Sequence, residues 1–490
     1  MSSEAAASTD RPFRAAPGPG DVVLRRFHLA AAFLVCAVFL VNWRFILVHF
    51  STGGYLLDSG WFAYLFGSGD LGMRNPSSIT DYSFYNMHIS PWLVLFGLPF
   101  RALGVDGFSI FALHNGLMFA LVPASLYALV ARPAGSAPPM LLAATLAVGV
   151  FGQVLWRIDL YPHFEIATVA LCTAGTALLA AGRDRLAAVP FVLALTVRED
   201  AGLFVALFLA GWSLLNASSP WRWREWLLTP LVAWAIAAAA VSAGLFGMKA
   251  VYFNAYPTFH NSFSGDGWSH LGWGWLGARL LAVAGDPKLD LTVLAVLALA
   301  FRSWRYLVFP VLVLPLIVAQ LLAVHKAVGQ FQIYYAIPWL VVWLGLIVAA
   351  AVRAGRGELG KREAATVLGF ALACTVLVPG FDLRLPGLGP VGLIATRGTV
   401  DLPALARDIE AAMGPDRADV CLSIGTVALV PDSIAPREHV RAPDDIGRCG
   451  RLFLFVGDMD YASLRKQAAG LGMRRQALIG DRVEIYARSP

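Results

Sequence analysis

From residue 28 to about residue 380 the chain is a succession of apolar segments parted by shorter polar ones. The segments are 28–48, 108–130, 138–156, 164–182, 186–197, 201–216, 227–247, 289–301, 306–324, 333–352 and 364–380. Most approach the ~20 apolar residues needed to cross a hydrocarbon core of about 30 Å. They predict an all-α polytopic membrane domain of about eleven transmembrane helices. The first segment carries Arg44 and is not followed by a small-residue cleavage site, so it reads as a retained helix rather than a removed signal. Beyond residue 381 the pattern changes. "LPALARDIEAAM" (402–413) has the spacing of an amphipathic helix, "ADVCLSI" (418–424) and "RLFLFVG" (451–457) read as buried strands, "YASLRKQAAGLGM" (461–473) as a helix and "RVEIYAR" (482–488) as a strand. The pattern predicts a small C-terminal α/β domain, with no Gly-rich phosphate loop and no nucleophile motif in it.

Two apolar segments are too short for their role. "LAAVPFVLALTV" (186–197) and "AGLFVALFLAGWSLL" (201–215) would extend only about 18–23 Å as helices. Between them stand Arg198, Glu199 and Asp200. Both outer flanks, "RDR" (183–185) and "WRWR" (221–224), are basic. The expectation is a short helical hairpin whose charged tip stops inside the membrane thickness, where charges need water, partners or a cavity.

Composition agrees with this pattern: the chain is 58% hydrophobic and 14% charged, with a mean hydropathy of +0.65. A soluble chain carries about 25% charge. The net charge of +6 lies mostly in loops and reads as a topology signal, with no nucleic acid implied. Arg11, Arg14, Arg25, Arg26, Arg132, Arg183, Arg185, Arg222, Arg224, Arg302, Arg305, Arg353, Arg356, Lys361 and Arg362 fall in alternate, short loops. The positive-inside rule places that set in the cytoplasm. Residues 1–27 are then a cytoplasmic tail, 28–380 the transmembrane domain, and 381–490 an extracytoplasmic domain. The main outer loops are 49–107 and 248–288. Segment 89–104, with two prolines in sixteen residues, is placed on the outer side as a juxtamembrane or re-entrant helix.

With that topology the unusual polar residues gather on the outer side: Asp58, Asp81 and His88; Asp159, His163 and Glu165; the Arg198-Glu199-Asp200 tip; His260, Asp266 and His270; then His325, Lys326, Tyr334 and Tyr335. Each has a plain alternative. Asp58 could solvate or cap a surface helix, the hairpin tip could be an internally paired turn, and His163 with Glu165 could be interfacial. The aromatics of 252–275 could form a belt, and Lys326 could snorkel to lipid headgroups. What joins them is the shared face. Transfer of a sugar from a polyprenyl phosphate would need such parts. The leaving phosphate needs cations, for which Arg157, Arg198, Arg279 and Lys326 are candidates. The acceptor hydroxyl needs a carboxylate base, with Asp58 first and Glu165, Glu199 and Asp200 behind it. A divalent cation is the one cofactor candidate, although no Cys or His spacing is diagnostic of a metal. Cys421 and Cys449, in the polar tail, are either a disulfide or a free buried pair.

The order of parts resembles the GT-C superfamily of lipid-phosphate-sugar-dependent glycosyltransferases, of the protein-mannosyltransferase type. More closely, the chain is similar to a bacterial family of predicted membrane proteins placed near that superfamily. The pieces that carry the resemblance are "LLDSGWFAYLF" (56–66), "HISPWLVLFGLPFRALG" (88–104), "LYPHFEIATVAL" (160–171), "VREDAGLFVAL" (197–207), "VHKAVGQFQIYYAIP" (324–338) and the tail stretch 420–445. The resemblance implies a base or acceptor-orienting role for Asp58, and an acidic pair in Glu199 and Asp200. Where the superfamily often has two adjacent acids, Asp58 is followed by Ser59. The implied catalytic set is Asp58, Glu199 and Asp200, and the substrate-binding set is His88, His163, Glu165, Arg198, His260, His325, Lys326 and Tyr335. The implied partners are a polyprenyl-phosphate-linked sugar in the bilayer and a glycan, lipid or protein acceptor. Two other classes fit the composition: a transporter or lipid flippase, whose interrupted helices would bind substrate, and a non-catalytic scaffold of envelope-glycan assembly.

Overall fold

A computed structural model of the chain describes residues 19–52, 57–76, 83–131, 138–155, 158, 163–252, 264–265, 268–376, 400–432, 439–440, 443–458 and 460–488. Every one of the eleven apolar segments falls on a helix. In chain order they are α1 (Pro19–Thr52), α4 (Gly107–Ala131), α5 (Pro139–Leu155), α6 (Ile166–Ala180), α7 (Asp184–Leu195), α8 (Ala201–Asn216), α9 (Pro230–Tyr252), α11 (Pro287–Ala300), α12 (Val308–Leu321), α13 (Ile337–Gly355) and α14 (Lys361–Val376). Shorter helices accompany them, among them α2 (Leu57–Ser68), α3 (Pro91–Ala102) and α10 (Trp273–Ala284). Among the described residues, five helical stretches are long and apolar enough to cross a membrane. The chain is a mostly helical membrane protein with a small C-terminal sheet.

The helices pack as a layered bundle in which α4 is central, touching α1, α5 and α6, while α8 packs on α9. α13 is the most enclosed: Leu340, Val341, Leu344, Leu346, Ile347 and Val348 are all buried. By contrast α9, α10 and α11 leave Trp234, Ile236, Leu281 and Leu294 exposed. An apolar surface of that kind is what a lipid-facing helix presents.

The hairpin expected from its short arms is present. α7 ends at Leu195, α8 begins at Ala201, and the turn between them carries Arg198, Glu199 and Asp200. Thr196 closes α7 by donating its hydroxyl to the Leu193 carbonyl at 2.7 Å. The other end of α8 is held by arginine. Arg305 donates to the carbonyls of Leu215 and Ala217 at 3.0 Å each and pairs with Glu358 at 3.1 Å. Arg353 forms a fork on Glu363 (2.7 and 3.1 Å). The hairpin tip and this arginine-rich end are therefore separated by the length of α8, about 24 Å for sixteen residues. α3 is twelve residues long, short of a full span. Its start is tied to the hairpin tip, the Trp92 amide donating to the Thr196 carbonyl at 2.9 Å.

The tail forms a five-stranded sheet, β1 (Val420–Ser423), β2 (His439–Val440), β3 (Arg451–Phe455), β4 (Met473–Ile479) and β5 (Val483–Arg488), in the order β2-β1-β3-β5-β4. β2, β1 and β3 are parallel, with Cys421 opposite Leu452, and β5 joins β3 antiparallel. The helices of the tail are α15 (Leu402–Met413), α16 (Ile424–Leu429) and α17 (Tyr461–Gly470). Alternate residues of β3 enter different clusters. Phe453 and Phe455 join the main core, and Leu452 and Leu454 join a second cluster with Leu464 and Ala468 of α17. That two-sided burial explains why "RLFLF" reads as a continuous apolar run. Cys421 and Cys449 are joined by a disulfide, which settles the alternative left open by the sequence. β2, β4 and α16 are additions to the expected elements. β4 is an edge strand with its middle exposed, so it lacks the apolar signal. Its turn into β5 spans three residues, 480–482, since Ile479 pairs with Val483; Gly480 and Asp481 both have positive φ (52° and 53°), and the Arg482 amide donates to the Ile479 carbonyl at 2.9 Å.

Asp458, just after β3, accepts from the Gly425 amide at 2.8 Å. Burial pushes its carboxyl up to about 6, with the Ser423 and Gly425 hydrogen bonds opposing and Asp460 adding to the rise. A carboxyl raised on folding contributes stability that is complete below the unfolded value, near pH 3.9, and lost as pH rises through about 6. Asp458→Asn keeps the acceptor and removes the buried charge. It is expected to stabilise the tail by about 1–2 kcal/mol at pH 7.5 and to be nearly neutral at pH 4. Thermal unfolding of the purified chain at the two pH values, followed through proteolysis of the tail, checks this. An equal effect at both pH values would refute it.

Candidate functional site

At the hairpin end of the bundle, residues from five parts of the chain form one polar network. Its centre is Glu199, buried at 4% exposure. His88 Nδ1 lies 3.0 Å from Oε1, the Ile89 amide donates to Oε2 at 3.0 Å, and the Lys249 ammonium donates to Oε1 at 2.7 Å. Lys249 also donates to the Met87 carbonyl at 2.5 Å. Burial pushes the Glu199 carboxyl up, but His88, Lys249 and Arg198 outweigh it and hold the group below the ordinary carboxylate range. Glu199 is thus a charged, fully engaged anchor.

Beside it, Arg198 bridges two acids. Its Nη1 donates to Glu165 Oε1 at 2.9 Å and its Nε to Asp200 Oδ1 at 2.7 Å. Glu165 stands against His163 as well. Burial, then the charges of Arg198 and His88, hold the His163 imidazole well below its ordinary value, so it is neutral. Its ring stacks on Tyr334 with centroids 4.0 Å apart at 15°, and the Tyr334 hydroxyl donates to that of Tyr335 at 2.7 Å. Phe62 of α2 meets His163 edge to face at 4.5 Å. Asp58, in the first turn of the same helix, is half-buried and acts electrostatically on Tyr334. A carboxylate there is favoured by the positive end of the helix dipole. Asp58 and Phe62 are four apart and share a helix face, so α2 turns that face toward His163 and Tyr334.

The expected residues therefore divide. Asp58, His88, His163, Glu165, Arg198, Glu199, Asp200 and Tyr335 come together. His325 and Lys326 are exposed at the start of a single helical turn, Lys326–Gly329, and are not drawn into the network. His260 lies outside the described residues, as do Asp81, Arg157, Asp159 and Asp266. Arg279, a candidate for binding a phosphate, has its guanidinium committed: Nη2 donates to the Ala323 carbonyl at 3.0 Å and Nη1 to that of Lys326 at 3.3 Å. The sequence reading missed Lys249. The signal for it is that this lysine is the one charge within the apolar run of α9. Of the water, partners or cavity that such charges need, Glu199 and Glu165 have partners. Both are buried, with Lys249 and His88 against Glu199 and Arg198 against Glu165. A divalent cation fits this arrangement poorly. Among the described residues no group of three or more His, Cys, Asp or Glu has the geometry to hold one, and the buried carboxylates already carry cationic partners.

Fold and site together define a membrane-embedded helical protein with a buried ionic network at one end and a small α/β domain docked there. No family model matches the chain. Over 95% of its length it is similar to the arabinofuranosyltransferase AftD from Mycobacteria, with a TM-score of 0.47 and 15% identity. It spans 40% of that longer chain. Over 94% of its length it is similar to ArnT from Cupriavidus metallidurans in the apo state, covering 99% of it, with a TM-score of 0.46 and 13% identity. The same enzyme bound to undecaprenyl phosphate matches with a TM-score of 0.43.

Proposed function

We propose that this chain is a membrane glycosyltransferase that moves a sugar from a polyprenyl-phosphate donor to an acceptor outside a bacterial inner membrane. The observation that carries the reading is the placement of Asp58. It is a half-buried carboxylate at the positive end of a short helix, facing an aromatic and imidazole wall backed by a charged network. Asp58 is the base. It takes the proton of the acceptor hydroxyl as that oxygen bonds to the anomeric carbon. The bond from that carbon to the phosphate oxygen breaks, and its electron pair leaves with the lipid phosphate. In this reading Lys326, exposed and without a carboxylate partner among the described residues, meets that charge. Arg198, paired with both Glu165 and Asp200, orders these two acids beside the site rather than meeting the phosphate. Tyr334, Tyr335 and His163 offer the flat apolar faces and hydrogen-bonding edges that a sugar ring prefers. Glu199 shapes the site through His88 and Lys249 rather than reacting. In this reading the arginine-rich end is cytoplasmic, about eleven helices span, and residues 381–490 are extracytoplasmic.

A transporter would need charged linings reachable from both sides. Arg305, Arg353, Glu358 and Glu363, at the other end, are paired with one another. The test is incubation of the purified protein, in nanodiscs, with radiolabelled polyprenyl-phosphate pentoses and hexoses, with and without Asp58→Asn. Loss of lipid-linked sugar that depends on Asp58 supports the reading. Turnover unaffected by Asp58→Asn, or no turnover of any donor, moves the weight to transport or to a scaffold.

A further inference from the structure

The helix that carries Asp58 has a second face. Gly60 and Tyr64 are four residues apart and lie on the side of α2 away from Asp58 and Phe62. That side is covered by the C-terminal domain. At Gly60 the approach is so close that a Cβ would lie 2.4 Å from both Cα and Cβ of Ala428 and 2.7 Å from its carbonyl oxygen. Real side chains do not tolerate such distances, so only glycine admits α16 here. One turn on, the Tyr64 hydroxyl donates to Asp432 Oδ2 at 3.2 Å. A third tie joins the tail to α1, the Val400 amide donating to Ser51 Oγ at 3.1 Å. Val427, Ala428, Leu429 and Val430 are all buried, and they belong to the same apolar cluster as Trp61, Phe62 and Leu65 of α2. α2 is therefore a layer between two bodies. On one side it touches the tail through Gly60 and Tyr64. On the other it offers Asp58 and Phe62 to His163 and Tyr334.

We infer that the C-terminal domain is a positioning element for the Asp58 helix. α16 seats on Gly60 and sets how far Asp58 reaches toward the His163–Tyr334 wall, so Gly60 and Ala428 are positioning residues for the transfer step. This rests on Asp58 being the base. The tail thereby gains a role in the chemistry without supplying a reacting group. Packed interiors do not deform continuously, so a side chain added at the Gly60–Ala428 contact displaces α2 as a unit. A shift of about 1 Å in a reacting group can cost on the order of 100-fold in rate. Donor affinity, which depends on groups outside α2, should change little.

The experiment compares wild type, Gly60→Ala and Ala428→Leu as full-length purified chains. Ala428→Leu pushes on α2 from the tail side and leaves α2 itself untouched, so it serves if Gly60→Ala does not fold. Two readouts are taken: kcat and KM for a radiolabelled polyprenyl-phosphate sugar that wild type consumes, and amide hydrogen exchange of peptides covering 57–68 and 424–429. The expected result is a fall in kcat of about 10- to 100-fold with KM within about twofold, and faster exchange in both peptides. Adding Ala428→Gly to Gly60→Ala should restore part of kcat, because one of the clashing atoms is removed. Unchanged kcat, or kcat and KM altered together with normal exchange in 57–68, overturns the inference. If wild type consumes no donor, the glycosyltransferase reading is what fails. The exchange measurement then decides alone: normal exchange in 57–68 of Ala428→Leu would show that the tail does not hold α2.

Discussion

Asp58→Asn is expected to lower the rate of sugar transfer by about 10²–10⁴-fold, the usual contribution of a positioned general base, while the protein still folds and still binds donor lipid. The side chain is nearly isosteric, so the packing of α2 should survive. What it loses is the charge that accepts the acceptor's proton. The structural cost is the first-turn carboxylate's interaction with the helix dipole, about 0.3–1 kcal/mol, which a protein of this size absorbs. Single-turnover decay of a radiolabelled polyprenyl-phosphate sugar measures the loss, with binding of undecaprenyl phosphate as the control. The binding control should be unchanged, because in this reading the phosphate is met by Lys326, outside α2. A variant as active as wild type would remove Asp58 from the mechanism.

The largest expected effect on stability comes from Lys249→Met. The ammonium is 2.7 Å from Glu199 Oε1, and both groups are buried. Removing one member of such a pair leaves a buried charge uncompensated, at a cost of about 3–5 kcal/mol. Here the lower end applies, because His88 and the Ile89 amide still face Glu199. Lys249→Met combined with Glu199→Gln should recover part of the loss, since the carboxylate then no longer needs a cation. A double-mutant cycle, read from unfolding in mixed detergent, checks the coupling, and additive effects would disprove the pair's importance. The pH dependence has a definite sign. A carboxylate held below its ordinary value contributes stability that is complete above the unfolded value, near pH 4.3, and is lost as the pH falls below it. Glu199→Gln should flatten that acid limb.

The secondary structure was largely legible from local pattern. Eleven apolar segments lie on helices because run length and the absence of charge are local properties, and in lipid a backbone so composed has few alternatives to helix. The short arms and three charges at 186–215 declared the hairpin for the same reason. In the tail, Asp401 caps the helix 402–413 through the Ala404 amide, and the apolar run at 451–455 is a buried strand. β4 was hidden because an exposed edge strand rich in arginine carries no apolar alternation.

The candidate residues were legible as residue types, and their organisation was not. Nothing in the sequence says that Lys249 neutralises Glu199, fifty positions away. Nothing says that Arg279 is committed to carbonyls, or that Gly60 is a glycine because Ala428 lies against it. Nor did the spacing decide whether Cys421 and Cys449 are bonded. The sequence by itself determined what is set by neighbours along the chain: which segments are helical, where the polar tail begins and which charges are out of place in apolar surroundings. Only the tertiary structure decided which of those charges face each other and which helix faces the tail. Such contacts depend on groups hundreds of residues apart meeting in a low-dielectric interior. There each charge must find its partner, and no local period records who that partner is.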